Sequence, residues 1–110
     1  MNITQLAKEL ASLGYPIAYL HFKKSETNPP PAPPFIVYLE SDSDNIGADN
    51  KVWKKVKNYE IELYTDKKDL TIEKKIEDLL DTHSIFYDTS DVFISEENLL
   101  QRIYYIQLID

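Results

Sequence analysis

An α+β domain in the order α-β-β-β-α-β-β, with two helices packed on one face of a mainly antiparallel sheet, is what this 110-residue sequence predicts. Three observations point there. Two amphipathic stretches with apolar residues three and four apart, near 3–13 and 70–82, have helical period. Five apolar, β-branched and aromatic runs occupy the intervening and following segments. The length suits a single domain spanning 1–110, since domains commonly run ~100–150 residues. That order, with the helices segregated on one side of a mainly antiparallel sheet, places the chain in the α+β class.

Each element has its own warrant. Ile3, Leu6, Leu10 and Leu13 form the first helical stripe; Asn2 with Gln5 reads as a capping box, Gly14 as the residue past the C-cap, and Pro16 as a stop. Tyr15–Phe22 reads as a strand whose almost unbroken apolar run implies burial on both faces. Residues 24–34 hold five prolines in their last six positions and read as a polyproline II loop between two strands of one domain. Its P-x-x-P spacing also matches an SH3-type ligand. Phe35–Glu40 is a second strand, and 41–50 an acidic polar loop.

The third strand, 51–65, has a defect. Tyr59, Ile61 and Leu63 alternate with Glu60, Glu62 and Tyr64, but Val52 and Val56 fall on the parity of the glutamates. A bulge or strong twist near Lys57–Asn58 reconciles the halves, and so does a strand leaving the sheet to meet another chain. Helix two runs from Leu70 to Thr82, with Ile72, Ile76, Leu79 and Leu80 inward, Asp69 as N-cap and a Lys74–Asp78 pair. Ile85–Ile94 and Leu99–Ile109 are strands joined by the polar turn Ser95–Asn98, with Ser95–Arg102 also suited to open as a helical turn. In the last strand Leu100, Tyr104, Ile106 and Leu108 share one face and Leu99, Ile103, Tyr105 and Ile109 the other, so a partner or a second layer covers the second face.

Charge is uneven. The net −7 conceals a basic block, with eight Lys against five acids over 51–75, followed by one Arg against eight acids over 76–110. Lys51, Lys54, Lys55 and Lys57 surround Val52, Trp53 and Val56. A basic stretch with an embedded Trp suits phosphate contact and base stacking, but a net acidic field repels nucleic acid, so specific nucleic-acid binding is not expected. The other reading is a contact for an acidic patch on another subunit, which makes Val52, Trp53, Lys54, Lys55 and Val56 the candidate subunit or partner interface. Eight tyrosines serve equally as strand formers and as interface residues.

The motifs of catalysis and metal binding are weak. With no Cys there are no thiolate sites or disulfides, and two glycines build no phosphate-cradling loop. Asp42, Asp44 and Gly47 match an EF-hand in part, but Ile46 and Trp53 stand where oxygen ligands are required. His21 and His83 lie in no ligand spacing, and His83, Ser84 and Asp81 are too close in sequence to face one another as a triad. Glu60 and Glu62, a carboxylate pair on one strand face, are more simply a solvated face than a general acid and base. No catalytic residue, metal or cofactor is therefore expected, and no membrane span or signal segment is visible.

Three stretches carry a family resemblance. They are the opening helix running into Gly14-Tyr15-Pro16-Ile17-Ala18-Tyr19; Pro34–Leu39 followed by the strand Asn58–Thr65; and helix Leu70–Leu80, after Asp66-Lys67-Lys68-Asp69, with the closing strand Leu100–Leu108. In element order and texture the chain resembles the tail-terminator and tail-completion (head–tail joining) proteins of long-tailed phages, often prophage-encoded. The resemblance implies a structural virion protein that self-associates into a ring, typically a hexamer. Such a ring caps the tail tube, contacts the major tail-tube protein and the head connector, and resides in the virion after assembly in the host cytoplasm. It carries over no catalytic or ligand residues. The alternatives are a head-completion or connector component, and a small regulatory module that binds a partner through the Pro-rich loop.

Overall fold

A computed structural model describes residues 1–22, 31–48 and 51–109, apart from the side chains of Ile46, Ala48, Lys51, Val52 and Trp53. Most of the Pro-rich stretch, Asp49–Asn50 of the acidic loop, and the side chains of Val52 and Trp53 thus lie outside the described residues. The elements are α1 (Ile3–Ala11), β1 (Ile17–Tyr19), β2 (Phe35–Ser43), β3 (Ile46–Ala48), β4 (Lys51–Lys54), β5 (Val56–Thr65), α2 (Leu70–Thr82), β6 (Tyr87–Ile94) and β7 (Leu99–Ile109). The fold is α+β: two helices and a five-stranded mixed sheet in the order β1-β2-β5-β7-β6, with β3 and β4 forming a two-stranded sheet of their own. Three of the main-sheet pairings are antiparallel and β1–β2 is parallel.

Local chemistry explains the helix ends. Asn2 Oδ1 accepts from the Gln5 amide at 2.9 Å while Gln5 Oε1 accepts from the Asn2 amide at 2.9 Å, which is the reciprocal capping box. Asp69 Oδ1 accepts from the Thr71 and Ile72 amides at 3.1 and 3.2 Å and starts α2. Gly14 adopts φ +94°, the left-handed region that an L side chain resists, and turns the chain from α1 toward β1.

Leu6 and Leu10 of α1 and Ile72, Ile76 and Leu80 of α2 form one buried cluster with Ile36 of β2, Tyr59, Ile61 and Leu63 of β5, and Tyr104, Ile106 and Leu108 of β7. Register explains why these strand residues share a face: Ile36 stands beside Leu63, Ile61 beside Tyr104, and Tyr59 beside Ile106.

Three expectations are corrected. The first strand is not the buried run Tyr15–Phe22. β1 has three residues at a sheet edge, Tyr19 is exposed, and Leu20 at φ +70° ends it. The stretch 41–50 is not one polar loop, because β2 continues to Ser43 and β3 arises inside it. The strand over 51–65 is two strands parted at Lys55, and the irregularity near Asn58 sits in its partner, between Glu40 and Asp42 of β2. The turn expected at Ser95–Asn98 is present, with Asn98 at φ +53°, and no helical turn opens there.

Candidate assembly interface

The strands leave a second face. Across β2, β5, β7 and β6, the rows Leu39–Glu60–Tyr105–Asp88, Val37–Glu62–Ile103–Ser90 and Phe35–Tyr64–Gln101–Val92 alternate with the rows of the helix-packed core. Val37 and Ile103 are buried on this face yet stand outside the cluster that contains the helices. At one end Phe35 stacks on Tyr64, with centroids 4.9 Å apart, and meets Phe22 edge-on at 5.5 Å. Pro31 and Pro33 join them around a groove of about 590 Å³.

Carboxylates run through the middle. Asp42, Glu60, Glu62 and Asp88 all lie on this face, and none of its paired rows holds a Lys or Arg. Burial, then repulsion from Glu62 and from Asp42, raises the Glu60 carboxyl above its ordinary range. Tyr64 donates to Glu62 at 2.8 Å, and Gln101 donates to Tyr64 at 2.8 Å. Burial first, and then the bond to Glu62, pushes the Tyr64 phenol well above its usual range. Asn58 donates to Asp42 at 2.7 Å and to Asp44 at 2.8 Å. The stripe is partly desolvated negative charge flanked by apolar and aromatic side chains. Such a surface suits a cationic, partly apolar partner.

β3 and β4 form the opposite kind of feature. This hairpin, the arm, pairs only with itself in the strand ladders, and Lys54 and Lys55 at its foot are exposed. Two bonds clamp its root: the Asp44 amide donates to the Val56 carbonyl at 2.8 Å, and the Val56 amide donates to Asn45 Oδ1 at 3.1 Å. Of the candidate interface residues, Val52, Trp53 and Lys54 lie in β4 and Lys55 at the break. Val56 opens β5 opposite Ile109 and is 3% exposed, so it belongs to the root of the arm.

A polar latch on the helix side was missed in the sequence. Arg102 points from β7 toward α2 and is 16% exposed. Its Nε lies 3.2 Å from Oε1 of Glu73, which is 6% exposed, and its guanidinium reaches Asp91 at 3.1 Å and Glu77 at 3.5 Å. Lys68 completes the set at 3.0 Å from Glu73 and 3.2 Å from Asp91. The Tyr104 hydroxyl donates to Glu77 at 2.8 Å and accepts from Arg102 Nε at 3.0 Å. Burial and the bond to Glu77 hold the Tyr104 phenol far above its usual range, although Arg102 pulls the other way. Every member has a partner, so the network fixes α2 on the sheet. The signal was in the sequence: the chain's one Arg has the parity of Leu100, Tyr104 and Ile106, and a cation on a core face demands buried acids.

His83 caps α2 with Nε2 3.9 Å from Glu9. Among the described residues no group of three or more His, Asp or Glu gathers to hold a metal ion. No helix of the described residues is long and apolar enough to cross a membrane. No protein-family model and no curated protein matches the chain.

Proposed function

We propose that this protein is a structural virion component that self-associates into a ring, hexameric as the resemblance implies. In this reading the ring caps the phage tail tube and joins it to the head connector. One observation carries it: the sheet is packed by helices on one face only, and its other face presents apolar residues and carboxylates beside a separate basic hairpin. Monomeric proteins rarely expose such patches, whereas a ring repeats one pair of unlike surfaces at every joint. The latch at Arg102 supports a scaffolding role, because it places the buried Glu73 and the largely buried Arg102 where they hold α2 on the sheet.

The test is electron microscopy of particles produced without the protein. Filled heads separate from tail tubes of irregular length are the expected result. Empty heads that have lost their DNA beside tails of normal length favour the head-completion role. Intact, joined particles overturn the assignment.

A further inference from the structure

The arm needs a surface, because a two-stranded hairpin alone is at best marginally stable in water and gains stability by covering apolar area. The structure contains a surface of matching chemistry. Beyond the start of β6 at Tyr87, opposite Ile106, the end of β7 borders an open cleft of about 810 Å³. Its apolar part is unusually bare: Phe86 is 79%, Ile109 52% and Tyr105 40% exposed. Its acids are Asp42, Glu60 and Asp88. A cavity of a few hundred Å³ accommodates a large aromatic side chain with its neighbours. The arm holds Trp53 and Val52 among Lys51, Lys54 and Lys55 in sequence. Apolar groups for the cleft and cations for its acids are thus in one short segment.

We infer that the β3–β4 arm of one copy docks in the cleft formed by Phe86, Tyr105, Ile109, Asp42, Glu60 and Asp88 of a second copy. The inference rests on the self-association part of the proposed function and names its joint. The arm contributes opposite charge and an indole; the cleft contributes desolvation, which strengthens each ion pair. Neither arm nor cleft is self-complementary, so the contact pairs unlike surfaces. It closes a ring when passed from copy to copy, or a dimer when two copies exchange arms.

The absence of cysteine makes the test clean. Lys54→Cys and Asp88→Cys are made separately in the full chain, one carrying a mass label, and their melting curves are compared with wild type to show that both fold. The two proteins are mixed and oxidised over a concentration series. Disulfides are read by mass spectrometry, and a second set of samples is treated with a short bis-maleimide. Docking predicts mixed Lys54→Cys/Asp88→Cys cross-links severalfold above the random yield, falling when Lys55→Glu is added to the arm and falling with salt. Random pairing at every concentration overturns the inference, as does a doubly substituted chain that closes only within itself. When docking holds, the doubly substituted chain also reports on the ring: a ladder extending to six copies supports it, whereas a ladder ending at two keeps the docking and overturns the ring.

Discussion

Replacing Arg102 with Met should destabilise the domain by ~3 kcal/mol, the lower end of the cost of breaking a buried ion pair. Arg102 and Glu73 are 16% and 6% exposed, so neither charge is well hydrated in the folded state. Without Arg102, Glu73 keeps, among the described residues, only Lys68, 3.0 Å away and itself 44% exposed, as its cation partner. Glu77 and Asp91 lose the same guanidinium, and the Tyr104 hydroxyl loses a donor. Met fills much of the volume, so cavity formation adds little. At ~4 °C per kcal/mol for a domain of this size, the melting temperature should fall by ~12 °C. Urea unfolding followed by both far-ultraviolet circular dichroism and fluorescence gives the same loss as a shifted midpoint at unchanged slope. The second variant, Arg102→Met with Glu73→Leu, removes the stranded acid and should recover more than half of the loss. A cost below ~1 kcal/mol for Arg102→Met, the range of exposed ion pairs, would refute the reasoning. So would a double variant as unstable as the sum of its parts.

Tyr104→Phe deletes the hydroxyl shared by Glu77 and Arg102 and should cost ~1–2 kcal/mol in the same urea assay, since it leaves charged partners short of a buried bond. Glu60→Gln should raise stability at neutral pH by ~0.5 kcal/mol by relieving repulsion from Glu62 and Asp42. A carboxyl raised in the folded state binds its proton more tightly there, so wild-type stability recovers as pH falls through the raised value toward 4.5. Melting curves across that range should show the variant's advantage shrinking. Asp91 works in the opposite sense. Burial disfavours its charge, but hydrogen bonds from Arg102 and Lys68 outweigh this and hold its carboxyl below the ordinary range. Its contribution is therefore present above the usual carboxylate pKa and lost as pH falls through the depressed value, so Asp91→Asn should cost stability at neutral pH and progressively less in acid. Fluorescence anisotropy with duplex and single-stranded DNA at low salt should show weak binding, because the −7 charge repels phosphate; tight binding with a steep salt slope would instead make the Lys51–Lys57 block a phosphate site.

Helix α2 and strand β7 were legible to the residue, because each carries a long and regular apolar period with a cap or turn at its boundary. The alternation of Tyr59, Ile61 and Leu63 likewise identified the core face of β5. β1 was overread: its apolar run continues through Leu20, but the backbone turns there and the edge position leaves Tyr19 in solvent. The hairpin was hidden because β3 is three residues long in polar surroundings, and Gly47 and Ala48, both depleted in strands, leave Ile46 alone to signal it. The parity of Val52 and Val56 did register that the ladder was interrupted, and allowed a strand that leaves the sheet, without showing that the break falls at Lys55. At the candidate interface, the basic block and the doubly apolar last strand were visible in one dimension. The acidic stripe was not, because it takes Asp42, Glu60, Glu62 and Asp88 from three strands and only register brings them together.

The break at Lys55 has an evolutionary consequence. Inserting one residue within β5 would turn Tyr59, Ile61 and Leu63 out of the core, because strand side chains alternate strictly. Residues added between Ile46 and Lys54 carry no such penalty, since the bonds at Asp44, Asn45 and Val56 reset the chain before the main sheet begins. The hairpin is thus a module whose length and composition can drift independently of the fold that carries it. Relatives of this chain should keep the spacing from Val56 to Thr65 while differing most in the hairpin, each lineage tracking the surface its own hairpin has to meet.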